Sequence, residues 1–314
     1  MTKLPYNILR LLRPRQWIKN FAVFAAIVFS GELFNFPLLE KVILSFIVFC
    51  GLSSATYIIN DIFDVESDRM HPFKRYRPLA NRDVPMPVAQ AFAGVLMVAS
   101  LSLAFYVTPA FFALAVVYIL LQFLYSTFLK TITVLDILTI AAGYILRVYA
   151  GEFATGLHIS VWLLLTTISF SLFIAIGKRR SELTLVSRRT GGNIALTRKA
   201  LSHYSERLLD VYASVFATGT FVSYSLFTFL EEPRYINLPE GFIFPEFLST
   251  FFQRKWLMLT IIPVVYILMR YLQDIYEKHE GESPEKVLLS DKPLLTTVII
   301  WGIMVILIIY FVGA

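Results

Sequence analysis

The chain has 314 residues, 57% of them hydrophobic and only 16% charged, with a mean hydropathy of +0.68. A soluble domain is nearer half apolar and a quarter charged, so a water-soluble fold is excluded, and the formal charge of +6 points to anionic lipid or phosphate rather than nucleic acid. The single cysteine, Cys50, excludes an intrachain disulfide and any cysteine-based metal cluster.

Basic residues precede the first apolar run, as in a signal peptide, but no small-residue cleavage site of convincing form follows, so the run reads as a retained helix. A spanning helix needs roughly 20 apolar residues. Runs of that kind fall near 17–36, 39–60, 88–108, 110–128, 133–151, 160–177, 208–230, 255–273 and 293–313. The expected fold is therefore all-α, a polytopic membrane bundle of about nine transmembrane helices. With the N-terminus in the cytoplasm, 22 of the 28 Lys and Arg fall in cytoplasmic segments and 4 outside, with Arg147 and Arg270 inside spans. The expected organisation is a single domain, 1–314, whose cytoplasmic loops 61–87 and 178–207 form the active-site face.

The second span runs into Asn60-Asp61-Ile62-Phe63-Asp64-Val65-Glu66-Ser67-Asp68. At 100° per residue, Asp64 and Asp68 fall at about 300° and 340° from Asp61, so the three acids share one helix face. Carboxylates so placed repel, and a hard cation relieves the repulsion. Magnesium takes oxygen ligands and bridges carboxylates to substrate phosphates. Arg69, Lys74, Arg75 and Arg77 follow directly, and cations beside a metal suit a diphosphate. The plain alternative, a solvated loop with ordinary positive-inside bias, accounts for the cations but not for the phased acids.

Asn60-Asp61-x-x-Asp64-x-x-x-Asp68 resembles the first signature of the UbiA superfamily of intramembrane prenyltransferases. The continuation Asp68-Arg69-x-His71-Pro72-x-Lys74-Arg75-x-Arg77-Pro78 is similar to the decaprenyl-phosphate phosphoribosyltransferase branch, as are Arg13-Pro14-x-Gln16-Trp17-x-Lys19-Asn20 and the stretch from Asp136 to Arg147. The resemblance implies transfer of 5-phosphoribose from phosphoribosyl pyrophosphate to a polyprenyl (decaprenyl-type) phosphate in the cell (inner) membrane, with the active site facing the cytoplasm. It implies a magnesium (Mg2+) cofactor held by Asn60, Asp64 and Asp68, with Asp61 assisting, and Lys19 among the substrate-binding groups. A homo-oligomer is left open, and the family suggests a cell-wall precursor as product.

The sixth span ends in Lys178-Arg179-Arg180-Ser181-Glu182, where ordinary aromatic prenyltransferases carry a second acidic motif. Cations in its place favour direct binding of phosphates. Lys178, Arg179 and Glu182 join Lys74, Arg75, Arg77 and Arg198 as expected substrate-binding residues, against a reading of topogenic charge. Asp136 and Arg147, single charges in the fifth span, are expected to face inward in substrate binding or in a structural ion pair. His71 and His203 read as loop histidines rather than acid–base groups. The rival functions are a prenyltransferase joining a prenyl diphosphate to an aromatic acceptor, and a transporter with a charged mouth.

Overall fold

A computed structural model of the chain describes residues 4–70, 74–189, 201, 203–230, 255–278 and 284–312, and every regular element among them is helical. A lipid environment demands this, because each backbone N–H and C=O must find its partner within the segment.

The chain opens with α1 (Leu4–Leu12), a 3-10 helix over Pro14–Phe24 and α2 (Ala25–Phe29). Arg13 separates the first two with a left-handed backbone, φ 53°, directly before Pro14, a residue that disfavours helix in its predecessor. This region was expected as an ordinary span over 17–36. It is instead 11 residues of 3-10 helix followed by 5 of α-helix. The 3-10 form rises about 2.0 Å per residue against 1.5 Å, so the two pieces together reach about 30 Å, the thickness of a hydrocarbon core.

Next come α3 (Phe36–Phe63), α4 (Val65–Met70), α5 (Met86–Val107), α6 (Pro109–Thr127), α7 (Leu135–Thr155), α8 (Val161–Arg189) and α9 (Glu206–Leu230). The described chain closes with α10 (Ile261–Gln273), α11 (Pro284–Ser290) and α12 (Lys292–Leu307). Among the described residues eight helices are long and apolar enough to cross a membrane, and they coincide with the second to ninth expected runs. The chain is a multi-pass membrane protein. At the Thr108-Pro109 joint Thr108 is extended, its Oγ1 accepts the Phe111 N–H at 3.0 Å, and Pro109 opens α6.

The chain forms two compact units. The first holds Met1–Ile27, Glu32–Lys130 and Gly143–His158. Its core joins Leu11 of α1 to Ile58 of α3, Leu79, Val84 and the small Ala89 and Ala93 of α5. Here Gly151 of α7 lies so close to the 3-10 helix that a Cβ would stand 2.1 Å from the Val23 carbonyl oxygen. The second unit holds Val28–Gly31, Thr131–Ala142 and Ile159–Ala314. One of its cores packs Ile137, Leu172, Ile176, Leu183, Leu201, Tyr204 and Leu209.

Candidate active site

The acidic stripe sits where α3 gives way to α4. Asp64 breaks the helix at φ −92°, ψ 4°, yet its N–H still reaches the Asn60 carbonyl at 2.9 Å, and the Asp68 N–H reaches the Asp64 carbonyl at 2.8 Å. Backbone bonds of the i to i−4 kind thus continue across the break. Asp61 and Asp68 are buried, each 2% exposed, whereas Asp64 and Asn60 are half-buried. Asn60 Nδ2 donates to Asp64 Oδ2 at 3.1 Å.

Three cations balance three acids. Arg77 Nη1 donates to Asp61 Oδ1 at 3.0 Å and to Asp68 Oδ2 at 2.6 Å. Arg13 Nη2 reaches Asp61 Oδ1 at 2.5 Å and Oδ2 at 2.8 Å, with its guanidinium 5.1 Å above the Tyr57 ring. Lys130 Nζ lies 3.8 Å from Asp64 Oδ1. Burying a charge is costly unless it is paired or hydrogen-bonded. Arg13 is held in place because Trp17 Nε1 donates to Ser54 Oγ at 3.0 Å and Ser54 Oγ donates to the Leu12 carbonyl at 2.9 Å, which ties the N-terminal segment to α3. A cleft of about 330 Å³ opens here, lined by Arg10, Arg13, Asp61, Tyr76, Arg77 and Pro78. Arg10 donates to the Tyr76 carbonyl at 3.0 Å. Arg75 is exposed and donates to the Tyr76 hydroxyl at 2.7 Å. Lys19 donates to Gln16 Oε1 at 2.6 Å. Arg10, Arg13 and Lys130 were not expected as site residues. Their partners lie far along the chain, and only the Arg13-Pro14 motif hinted at one of them.

The donor set at the stripe is all oxygen and suits a hard divalent cation. The half-exposed Asn60 and Asp64 side chains already adjoin each other. Among the described residues no three His, Cys, Asp or Glu side chains converge on a metal position. Arg77 Nη1 stands between Asp61 and Asp68 and engages Oδ2 of Asp68.

The second charged face, at the end of α8, is organised differently. Arg179 is 1% exposed, one of the largest fully buried side chains. Its Nε lies 2.5 Å from Asp136 Oδ2, and its Nη1 pairs with Glu182, which is 19% exposed. Tyr204 donates from its hydroxyl to Asp136 Oδ1 at 2.8 Å and accepts the Val134 N–H at 2.6 Å. Burial, followed by the Asp136 carboxylate, pushes the Tyr204 hydroxyl above its ordinary value, so it remains a donor at neutral pH. Arg180 is also committed: Nε donates to Asp210 Oδ1 at 2.7 Å, Nη2 lies 3.0 Å from Glu206 Oε2, and Nη1 donates to Thr184. Lys178, one turn before Glu182 on α8, is half-buried and has no partner among the described residues. Of the three cations of this face, the two arginines are paired with acids, and the lysine has no partner among the described residues.

Arg147 is 5% exposed within a membrane span and donates to Asn20 Oδ1 at 2.8 Å, to the Gly143 carbonyl at 2.5 Å and to the Tyr118 hydroxyl at 2.9 Å. Its guanidinium lies 5.0 Å from the Tyr118 ring centroid. No carboxylate pairs with it among the described residues, so neutral acceptors and aromatic faces carry its charge. Asp136 and Arg147 face inward as expected, with separate partners. Arg198, His71 and the Lys74 side chain lie outside the described residues, and His203 is exposed.

The UbiA prenyltransferase family pattern matches residues 20–230. A decaprenyl-phosphate phosphoribosyltransferase of Mycolicibacterium smegmatis is 37% identical over 300 residues, covering 94% of this chain and 90% of the relative. One from Corynebacterium glutamicum is 34% identical over 308 residues, covering 97% and 87%. In fold, the chain is similar to a UbiA homolog from Archaeoglobus fulgidus solved with GPP and Mg2+, at TM-score 0.66 and 18% identity over 96% of this chain and 100% of that one. With the family pattern across most of the chain and this identity over nearly all of it, the chain belongs to the UbiA prenyltransferase family, in its decaprenyl-phosphate phosphoribosyltransferase branch.

Proposed function

We propose that this chain transfers 5-phosphoribose from phosphoribosyl pyrophosphate to a polyprenyl phosphate and releases pyrophosphate. The observation that carries the reading is identity of 34–37% to phosphoribosyltransferases of this specificity across almost the whole chain. The second charged face supports it. Where a prenyl diphosphate would call for another acidic metal site, this face offers Lys178 beside Glu182, with Arg179 and Arg180 as its internal struts. Phosphoribosyl pyrophosphate carries a 5-phosphate that a prenyl diphosphate lacks, and Lys178 is the group assigned to it.

The reacting bond is the ribose C1–O bond to pyrophosphate. Its electron pair leaves with the pyrophosphate oxygen while an anionic oxygen of the lipid phosphate bonds to C1. That nucleophile is already ionised at neutral pH, so no strong general base is needed. In-line displacement inverts C1 and gives a β-linked product from an α-diphosphate. Bound magnesium supplies neutralisation of the charge gathering on the leaving group. Asn60, Asp64 and Asp68 would hold it, with Asp61 fixed by Arg13 and Arg77 behind them. Arg77, Arg13 and Lys130, the cations beside these carboxylates, would bind diphosphate or phosphate oxygens. The distribution of basic residues supports a cytoplasmic active site in a cell membrane, and the two compact units are read as one catalytic domain.

The test is incubation of purified protein with radiolabelled phosphoribosyl pyrophosphate, magnesium and a polyprenyl phosphate. Label should move into a lipid product that depends on all three. Label that stays water-soluble, together with transfer from a prenyl diphosphate to an aromatic acceptor, would overturn the reading.

A further inference from the structure

Val134 has φ 72°, a left-handed backbone that a β-branched residue adopts only at a cost. It stands immediately before α7, and its carbonyl accepts the N–H groups of Ile137 at 3.1 Å and Leu138 at 2.9 Å, so it forms the entry to that helix. Its side chain is 45% exposed, so core packing does not hold the strained conformation. The group that engages it is the Tyr204 hydroxyl, which accepts the Val134 N–H at 2.6 Å from 70 residues away. The same hydroxyl donates to Asp136 two residues on. One oxygen therefore fixes both the turn and the first acid of the helix it starts. From there the chain of contacts continues through Asp136 to Arg179 and on to Glu182, the one carboxylate of the series that is appreciably exposed. Lys178 precedes Glu182 by four residues, on the same side of α8.

We propose that Tyr204 is a positioning residue of the second charged face: its hydroxyl holds the left-handed turn at Val134 and aims Asp136 at Arg179, which sets Glu182 and Lys178 for the donor. This rests on the phosphoribosyl-transfer reading for its consequence in turnover, but not for its consequence in structure. The role of Tyr204 is one of positioning rather than contact with substrate. It is a buried ring, 5% exposed and packed in the core with Leu201 and Leu209, whose polar tip serves the site.

Tyr204→Phe keeps the ring and removes the hydroxyl, so the core stays filled. It should lower donor kcat/KM about tenfold, the size of one lost hydrogen bond to a charged group, while acceptor KM moves less than about twofold. The discriminating variant is Val134→Gly. Glycine adopts positive φ without penalty and can keep the turn without the tyrosine. Alone it should leave turnover within about twofold, and combined with Tyr204→Phe it should recover roughly threefold of the loss. Hydrogen exchange over residues 131–138 reads the turn without turnover: faster in Tyr204→Phe, slowed again in the double variant. Wild-type kinetics in Tyr204→Phe, or a loss shared equally by donor and acceptor that Val134→Gly leaves untouched, would overturn the proposal, as would unchanged exchange. A wild type that transfers no phosphoribose while the exchange pattern holds would instead sink the functional reading and leave the device at the turn standing.

Discussion

Arg77 holds Asp68 through a 2.6 Å contact from Nη1 to Oδ2, and the same nitrogen reaches Asp61, so a guanidinium stands between two buried acids of the stripe. Both acids are at most 3% exposed, and the arginine side chain is 25% exposed. A buried charge that loses its partner is costly. Arg77→Gln should therefore lower the melting temperature without metal, and added Mg2+ should raise it more in the variant than in wild type. The stripe, relieved of its internal cation, should bind Mn2+ several-fold more tightly by electron paramagnetic resonance, while donor KM rises at least about tenfold. Weaker Mn2+ binding in the variant would show that Arg77 organises the acids rather than competing for them.

Asp64 and Asp68 should separate by stability although both are assigned to the metal. Asp64 is half-exposed with Lys130 at 3.8 Å, whereas Asp68 is buried against Arg77. Asp64→Asn should abolish turnover at saturating Mg2+ with the melting temperature nearly unchanged. Asp68→Asn should abolish turnover and destabilise, because it strands part of a buried pair, a class of change that costs about 3–5 kcal/mol at full burial. Near-normal activity in both would refute the metal assignment.

Lys178 and Arg179 are neighbours with different expected phenotypes. Arg179 is buried between Asp136 and Glu182, so Arg179→Ala should fail chiefly through folding, seen as a large loss of melting temperature and of yield. Lys178→Ala should fold normally and raise donor KM about tenfold. The comparison donor is ribosyl pyrophosphate without its 5-phosphate. Wild type should use it poorly, and Lys178→Ala should lose little more. Equal losses with both donors would assign Lys178 to the acceptor or to topology.

Topology follows from charge. A reporter fused after Ala314 should appear outside the cell membrane, and one inserted near Gly191 inside, given the 22 to 4 split of basic residues. Both reporters on one side would defeat the nine-span arrangement, including a membrane crossing by the 3-10 segment Pro14–Phe24 and α2.

Apolar run length alone located eight spanning helices, because lipid leaves a chain no other way to satisfy its backbone over some 20 residues. The spacing that brings Asp61 and Asp68 to one guanidinium was legible, since a helical face depends on spacing and on nothing distant. The 3-10 form of Pro14–Phe24 was not legible, since hydropathy carries no information about rise per residue. Nor were the pairings: Arg13 meets Asp61 across 48 positions and Tyr204 meets Asp136 across 68. Lys178, Arg179 and Arg180 are three consecutive cations with the same apparent meaning in sequence. Which of them is paired with an acid and which has no partner among the described residues depends on what the neighbouring helix presents at each angle around α8. Ion pairs have no period along a chain, so that division was settled only when the helices packed.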